Sequence, residues 1–213
     1  MLLETRATAP FFKNGYVLGC EATFEAVIID PGDEVGDLLD VVTSHHLAVK
    51  YILLTHAHVD HITGVQRAKD ASGAPIGLHR EDVFLYQNAP EIGRMFGVRM
   101  APAPPIDFYY EPRQRLAFGG YDVTVHHTPG HCPGGVCLQV GPHGTEGRLL
   151  FVGDTLFAGS IGRTDLPGGD HATLIASIER VLFAFGDDAV VYSGHGPATT
   201  IGEERRTNPF LRM

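Results

Sequence analysis

Short apolar runs recur along the chain, and most of them end in turns that contain glycine, proline or threonine. Runs without polar alternation predict β-strands covered on both faces, and residues 49–54 are expected to form one of these. Glycine and proline after a run indicate a tight turn. The strands predicted in this way are residues 16–20, 26–30, 49–54, 76–79, 121–128, 135–140, 148–152 and 189–192.

Between these strands, apolar residues recur at the spacing of a helix. Asp33 and Asp60 are the expected N-caps of two helices, because their carboxylates can accept hydrogen bonds from the first free amides. The proline-rich segment 88–112 is expected to be irregular apart from one apolar helical turn near residues 92–98. Such a long connection is typical of a lid or pocket wall, or of a contact loop. The predicted helices are residues 33–46, 60–71, 81–86, 171–185 and 203–208.

Each half of the chain mixes several strands with helices, and this order predicts a layered fold around a common core. We therefore expect an α/β fold of the αββα sandwich type. Two mixed β-sheets would pack face to face, with helices on both outer faces. The 213 residues contain no low-complexity segment, linker or short repeat, so a single domain over residues 1–213 is the expectation.

Charge and composition exclude several classes of function. The formal net charge of -9 disfavours a nucleic-acid surface, which needs clustered lysine and arginine. No apolar run approaches the roughly 20 residues of a membrane span, and no secretory signal is visible at the N-terminus. The three cysteines lack the spacing of a zinc knuckle and favour a reducing cytoplasm. A small-molecule substrate is the expected partner, and association into a homo-oligomer is compatible with the sequence.

Metal-binding residue types are concentrated in one stretch, Thr55-His56-Ala57-His58-Val59-Asp60-His61, directly after an apolar run. Side chains two residues apart in an extended segment point to the same side, so His56 and His58 can bind one ion. Asp60 and His61 lie on the following turn, where they can serve a second ion. The stretch therefore predicts a metal site that needs further ligands from elsewhere.

The ends of three other predicted strands carry residues of the same kind, namely His131, Asp154 and His195. Each is flanked by glycine, proline or threonine, which lets the backbone turn tightly and direct a side chain into a shared cleft. Five histidines and two aspartates suffice for two ions, each with coordination positions left for water.

The chain resembles the metallo-β-lactamase-fold superfamily, and within it the short, single-domain, glyoxalase II-like hydrolases (hydroxyacylglutathione hydrolases). The similarity spans the whole chain, and four independent motifs occur in the right order. The first motif, T-H-x-H-x-D-H, matches residues 55–61, and the second, T-P-G-H, matches residues 128–131. The other matching segments are residues 153–157, 162–165, 193–197 and 204–210.

This resemblance implies a binuclear site with seven ligands. Three residues would hold the first ion, three would hold the second, and one carboxylate would bridge them with an oxygen for each. The first-ion ligands are His56, His58 and His131, the second-ion ligands are Asp60, His61 and His195, and the bridge is Asp154. Zinc is the expected metal, and the nitrogen and oxygen ligand set is equally compatible with iron or manganese.

The function implied is hydrolysis of a small thioester, with S-2-hydroxyacylglutathione as the first candidate. Two neighbouring divalent ions lower the pKa of a shared water and polarise the substrate carbonyl, so a bridging hydroxide would be the nucleophile. Asp60 is the expected catalytic residue because it can orient that nucleophile. The thiolate leaving group has a conjugate acid with a pKa of roughly 8.5, so no strong general acid is required.

Other activities of the same fold remain alternatives. An iron-dependent persulfide dioxygenase would use only His56, His131 and Asp154 as a facial triad. A lactonase or another ester hydrolase would use all seven ligands, so the sequence does not separate it from a thioesterase. A β-lactamase is disfavoured because Asp154 fills the bridging position. A metal-storage or binding role is disfavoured because the inferred site leaves coordination open for water.

Contacts to the substrate are less constrained by the sequence. Two-domain glyoxalase II enzymes contact glutathione through a C-terminal helical domain, whereas 18 residues follow His195 in this sequence, so positive contacts to an anionic thioester are expected from other residues. The candidates for contacts to an anionic thioester are Arg163, Arg94 and Arg99. The candidates for support of the ligands from behind are Asp165 and, less strongly, His127 and His171.

Overall fold

The computed structural model describes residues 1–95 and 97–211. Two compact units can be distinguished within the chain. Unit 1 comprises Met1–Tyr110 together with Phe118–Gly120, and unit 2 comprises Glu111–Ala117 together with the chain from Tyr121 onward. The single domain expected over residues 1–213 stays a prediction. Among the described helices, none combines the length and the apolar character needed to cross a bilayer.

Unit 1 contains a six-stranded mixed sheet whose strands lie side by side in chain order. The first three strands are antiparallel, and the last three run parallel to the third. Because β3, β4 and β5 are parallel, the segments that follow them leave the same edge of the sheet. The strands are β1 (Leu2–Thr8), β2 (Lys13–Gly19), β3 (Glu25–Ile29), β4 (Ala48–Leu53), β5 (Ile76–Leu78) and β6 (Phe108–Tyr109).

Four α-helices follow strands of this sheet, and a 3-10 turn at Arg80–Asp82 precedes the last of them. Each helix turns buried residues inward, such as Leu38 in the first and Ala68 in the third. The helices are α1 (Val35–Ser44), α2 (Val59–Ile62), α3 (Val65–Ser72) and α4 (Val83–Met95).

Unit 2 is built on a second six-stranded mixed sheet, in the order β14-β13-β10-β9-β8-β7. The neighbouring strands β10 and β13 are parallel, and the loops that follow them therefore leave the same edge. Leu174 and Ile178 of α5 pack into a core with Val152 and Val191 of that pair. The elements are β7 (Arg115–Phe118), β8 (Tyr121–His127), β9 (Val136–Pro142), β10 (Leu149–Gly153), β11 (Leu156–Phe157), β12 (Ser160–Ile161), α5 (His171–Arg180), β13 (Val190–Ser193), β14 (Thr199–Thr200) and α6 (Ile201–Thr207).

The structure corrects two expectations for the strand and helix that precede the histidine cluster. Strand β4 is covered on both faces only towards its end, because Ala48 and Lys50 are exposed and Lys50 pairs with Glu25 at 3.2 Å. Helix α1 begins without the predicted side-chain cap. Asp33 does not cap it, since its carboxylate accepts a hydrogen bond from Thr63 instead.

Helices α2, α3 and α4 also differ from the predictions. The predicted helix 60–71 is interrupted at Gly64, because the Gly64 amide donates to the carbonyl of Pro31 instead of to the preceding turn. Helix α4 continues to Met95 through Pro90, although proline removes a helical hydrogen bond. The buried face of α4, which includes Tyr86, favours the helix in spite of that loss. The helix predicted over 171–185 ends at Arg180, and a 3-10 turn, Leu182–Phe185, follows.

Candidate metal centre

The loop after β4 places four candidate ligands of unit 1 next to one another. The rings of His56 and His61 are 4.0 Å apart between centroids, and those of His56 and His58 are 4.8 Å apart. The Asp60 Oδ2 atom lies 3.8 Å from Nε2 of His61. His56 and His61 are buried, and His58 and Asp60 are partly exposed. The loop therefore gathers three imidazoles and a carboxylate at the edge of the sheet where β4 ends.

A buried aspartate that the sequence analysis missed holds this loop in place. Asp30 follows β3, and its carboxylate accepts from the Thr55 amide at 2.7 Å and from the Thr55 hydroxyl at 2.5 Å. The same carboxylate accepts from Nδ1 of His61 at 2.9 Å. Asp30, His56 and His61 each offer an atom to a cluster no wider than 4.8 Å. Asp30 thus links the end of β3 to His61, one of the candidate ligands in the loop after β4.

Two further buried residues of unit 1 fix the backbone on either side of His56. Asp82 accepts a hydrogen bond from the Ala57 amide at 2.9 Å. The hydroxyl of Tyr110 accepts from the Leu54 amide at 3.0 Å and donates to the Leu54 carbonyl at 3.2 Å. Burial raises the pKa of Tyr110 well above its ordinary value, so the hydroxyl stays protonated and can make both bonds.

Unit 2 brings its three candidate ligands together from three separate loops. His131 follows β8, Asp154 follows β10 and His195 follows β13. The Oδ2 atom of Asp154 lies 3.7 Å from Nε2 of His131 and 3.6 Å from Nε2 of His195. One carboxylate oxygen therefore stands between two imidazole nitrogens, at distances too long for hydrogen bonds.

The Gly162–Asp165 loop supports His131 through its main chain. Nδ1 of His131 lies 2.8 Å from the carbonyl oxygen of Arg163. Gly162 packs so closely that a Cβ atom there would lie 1.8 Å from the carbonyl oxygen of Asp154. A glycine at this position is therefore needed to let the loop approach both ligands. No expectation from the sequence included this backbone contact.

The side chains of the same loop face solvent and bind each other. The guanidinium of Arg163 contacts both carboxylate oxygens of Asp165, at 2.7 and 2.8 Å. This bidentate pair lowers the pKa of Asp165 to about 2. Asp165 was expected to support a metal ligand from behind; its carboxylate binds the Arg163 guanidinium, and the supporting role stays a prediction.

The remaining candidate residues lie outside these two clusters. Arg99 lines a pocket of about 240 Å³ in unit 1, together with Asp33, Thr63 and Gln66. Arg94 is exposed in the last turn of α4. In unit 2, exposed His127 contacts the Pro133 carbonyl at 2.8 Å, and His171 is the exposed first residue of α5. Cys132 and Cys137 are buried, as expected of packing residues.

The hydrogen bonds determine which nitrogen three of the histidines would offer to a metal. A carboxylate or a carbonyl can only accept, so Nδ1 of His61 and Nδ1 of His131 carry the proton. Thr55 donates its only hydroxyl proton to Asp30, so its oxygen accepts from Nδ1 of His56. Each of these imidazoles therefore presents a lone pair on Nε2.

This donor set fits a divalent ion of the zinc type. Metal-bound histidines usually donate their other ring nitrogen to a carboxylate, a carbonyl or water, as these do. Tetrahedral ligands at about 2.1 Å from zinc are separated by about 3.4 Å. The distances around Oδ2 of Asp154, 3.7 and 3.6 Å, are close to that value. Nitrogen and oxygen donors also suit iron and manganese.

The fold and these two clusters define a class of protein that comparison with known families identifies. The chain belongs to the metallo-beta-lactamase superfamily, whose family profile matches residues 9–195. This membership makes the protein a metal-binding enzyme of the metallo-hydrolase class and confirms the family resemblance found in the sequence.

Three relatives are similar over nearly their whole length. Hydroxyacylglutathione hydrolase GloC of Haemophilus influenzae is 40% identical over 188 residues, or 87% of each chain. The structure of BLEG-1 B3 metallo-beta-lactamase matches with a TM-score of 0.89 and 38% identity, over 99% of each chain. TTHA1623, solved in a di-iron-bound form, matches with a TM-score of 0.86 and 39% identity, over 98% of this chain and 100% of that one. These matches confirm the predicted αββα sandwich.

Proposed function

We propose that this protein is a binuclear metallohydrolase that cleaves a small thioester of the S-2-hydroxyacylglutathione type. The observation that carries the proposal is Oδ2 of Asp154 at nearly equal distances from His131 and His195. A carboxylate so placed could be shared by an ion held with His131 and an ion held with His195, as the resemblance implies. The similarity to GloC supports the choice of substrate.

In this proposal the seven predicted ligands act together. The first ion is held by three histidines, the second by an aspartate and two histidines, and one aspartate is shared. The ligands are His56, His58 and His131 for the first ion, Asp60, His61 and His195 for the second, and Asp154 for both. Zinc is the proposed metal, with iron and manganese as alternatives that the same donors accept.

When bound, two divalent ions would supply an activated water and polarise the carbonyl of the substrate. The protein residues do the remaining work. Asp60, partly exposed beside His61, would orient the attacking water through its carboxylate. Asp30, Thr55 and the Arg163 carbonyl each accept from Nδ1 of one imidazole, which leaves Nε2 of the three rings as the nitrogen for a metal. The thiolate product is a good leaving group, since its conjugate acid has a pKa of about 8.5.

The anionic part of the substrate needs positive groups, and three arginines are proposed for this role. Arg163 is already paired with Asp165, so a substrate carboxylate would have to compete with that pair. Arg99 lines a pocket that also offers Thr63 and Gln66, and it is the stronger candidate. Arg94 is exposed on α4 and is the weakest of the three.

The test is metal content together with turnover of matched substrates. The purified protein is loaded with zinc, iron or manganese and analysed by elemental mass spectrometry. Each form is then assayed with S-lactoylglutathione, with glutathione persulfide under oxygen, and with a chromogenic cephalosporin. We expect two ions per chain and thioester cleavage. One iron per chain with oxygen uptake would contradict the proposal, as would lactam turnover faster than thioester turnover.

The His195→Ala variant separates the two metal arrangements. We expect it to lose thioester hydrolysis, because it removes a ligand of the second ion. A dioxygenase that uses only His56, His131 and Asp154 would keep part of its activity in this variant. The lactam assay is included because BLEG-1, at 38% identity, carries the name of a B3 metallo-beta-lactamase.

A further inference from the structure

A fully buried ion pair lies in unit 1 and has no part in the chemistry described above. Lys13, the first residue of β2, and Glu34 are each about 1% exposed in their side chains, and their charged atoms are 2.5 Å apart. A buried ion pair is a weak source of stability, because removing two charges from water costs about as much as their attraction returns. Its presence therefore calls for a role other than stability.

Both members of the pair bind the main chain of the loop that follows β3. Lys13 Nζ donates to the carbonyl oxygen of Asp30, and Glu34 Oε1 accepts from the amide of Gly32 at 2.9 Å. The pair thus holds the loop on both sides of Pro31. Since Asp30 has a left-handed backbone with φ of 48°, its conformation needs such support.

This loop in turn contacts the residues proposed to bind the second ion. The Asp30 carboxylate accepts from Nδ1 of His61 at 2.9 Å. Gly32 packs directly on Asp60, because a Cβ atom at position 32 would lie 2.1 Å from the Asp60 carbonyl oxygen. The Gly64 amide donates to the Pro31 carbonyl at 3.0 Å. Movement of residues 30–32 would therefore move Asp60 and His61.

We propose that the Lys13–Glu34 pair is a positioning element for the second metal ion. Neither residue is among the seven proposed ligands. The pair fixes the Asp30–Gly32 backbone, and that backbone sets the position of Asp60 and the orientation of the His61 ring. The inference rests on the proposed two-ion function, because the second ion is the one whose binding it controls.

The test replaces both members of the pair together. Removing one alone would leave a buried charge, whereas Lys13→Met combined with Glu34→Leu keeps a filled, apolar volume. Parent and variant proteins are stripped with a chelator and titrated with zinc in a metal buffer, and bound zinc per chain is measured. We expect the second ion to bind about 10- to 100-fold more weakly in the variant, the usual effect of losing an outer-shell partner of a metal ligand.

The matched control is Lys69→Met, which breaks an ion pair with Asp107 in the same unit. We expect this variant to bind both ions as the parent does. The Lys13→Met, Glu34→Leu variant is checked by thermal unfolding and circular dichroism. A purely structural role would lower its melting temperature and leave the zinc affinities of the folded protein unchanged, and that result would overturn the proposal.

A second variant keeps the test decisive if the double variant does not fold. Glu34→Gln retains an oxygen for the Gly32 amide but loses the charge that holds Lys13. We expect the second zinc ion to bind more weakly than in the parent. We also expect the NMR resonance of the His61 Nδ1 proton to shift. Unchanged zinc binding and an unchanged resonance would refute the proposal. If the parent itself binds fewer than two ions, the proposed function fails instead, so the two failures are distinguishable.

Discussion

The two units supply metal-type ligands in different ways. Unit 1 carries four of them on one seven-residue stretch after β4, and buried side chains such as Asp30 and Asp82 hold that stretch. Unit 2 carries three, each at the end of a different strand, and Nδ1 of His131 binds a main-chain carbonyl. The first cluster is local in sequence and depends on distant side chains. The second is dispersed in sequence, and its His131 binds the backbone.

This difference indicates which substitutions each cluster can tolerate. A single mutation can remove a side-chain acceptor. Metal binding by the unit 1 cluster should therefore be weakened by substitutions at positions that are not ligands. A main-chain acceptor survives a change of side chain, so metal binding through His131 should tolerate substitution of Arg163.

Asp154→Ala should have the largest effect, because it removes the proposed bridge between both ions. We expect the variant to lose metal and its turnover to fall at least about 100-fold, the upper end of what loss of a mere outer-shell partner causes. Metal analysis and the thioester assay measure this. The control is Asp188→Ala, an exposed aspartate of unit 2 that pairs with Arg148. Retention of two ions by Asp154→Ala would contradict the bridge.

Asp30→Asn tests the dependence of unit 1 on a residue that is not a proposed ligand. The amide cannot accept from His61 and from both Thr55 groups as the carboxylate does, so we expect a 10- to 100-fold loss of metal affinity or activity. Zinc titration and kcat are the measurements. Asp70→Asn, which changes an exposed aspartate of α3, serves as the control. Equal zinc affinity and equal kcat in the two variants would contradict the dependence of the unit 1 cluster on Asp30.

Arg163→Ala tests the main-chain support of unit 2. The carbonyl that binds His131 is retained, so we expect unchanged metal content and, if the guanidinium contacts the substrate, a higher KM with little change in kcat. The pKa of Asp165 should rise from about 2 towards its ordinary value when its partner is removed. Zinc analysis, steady-state kinetics and an NMR titration of the carboxyl group measure these changes. Loss of zinc would mean that the side chain, not the carbonyl, holds His131.

The smallest expected effect concerns His126 of β8, away from the ligands of unit 2. Burial lowers the pKa of His126, although Gln139 at 2.8 Å opposes this. Below about pH 6.5 the unfolded chain therefore binds a proton more readily than the folded one, and stability falls as pH decreases. His126→Gln should lose less stability than the parent between pH 7.5 and 5.5, as measured by denaturant unfolding of the metal-free proteins. The same decrease of the free energy of unfolding with pH in both proteins would contradict this prediction.

The pattern of the sequence was sufficient for the fold class and for most strands. Each predicted ligand follows a short apolar strand, and both the strand and the residue after it can be read locally. Helix α4 could not be predicted in full, because Pro90 normally ends a helix and only the buried face that includes Tyr86 compensates. Strand β7 carries too short an alternation to be recognised.

Most residues that act over long sequence separations could not be predicted. Asp30 stands after an apolar strand, as the ligands do, and this was a signal that could have marked it. Lys13 and Tyr110 gave no comparable signal, because lysine at a strand start is usually exposed and tyrosine is common in cores. Their roles depend on contacts with Asp30 and Leu54, which only the packed chain brings near.

The hydrogen bond from His131 to the carbonyl of Arg163 has a consequence for how the protein can change over generations. Every amino acid carries a carbonyl, so a codon change at position 163 alters the solvent-facing side chain and leaves the acceptor in place. Side chains of different charge and shape can therefore replace Arg163 beside His131 while the hydrogen bond from the imidazole to the carbonyl is kept. The Gly162–Asp165 loop is accordingly a place where this scaffold can acquire a new substrate preference by single substitutions.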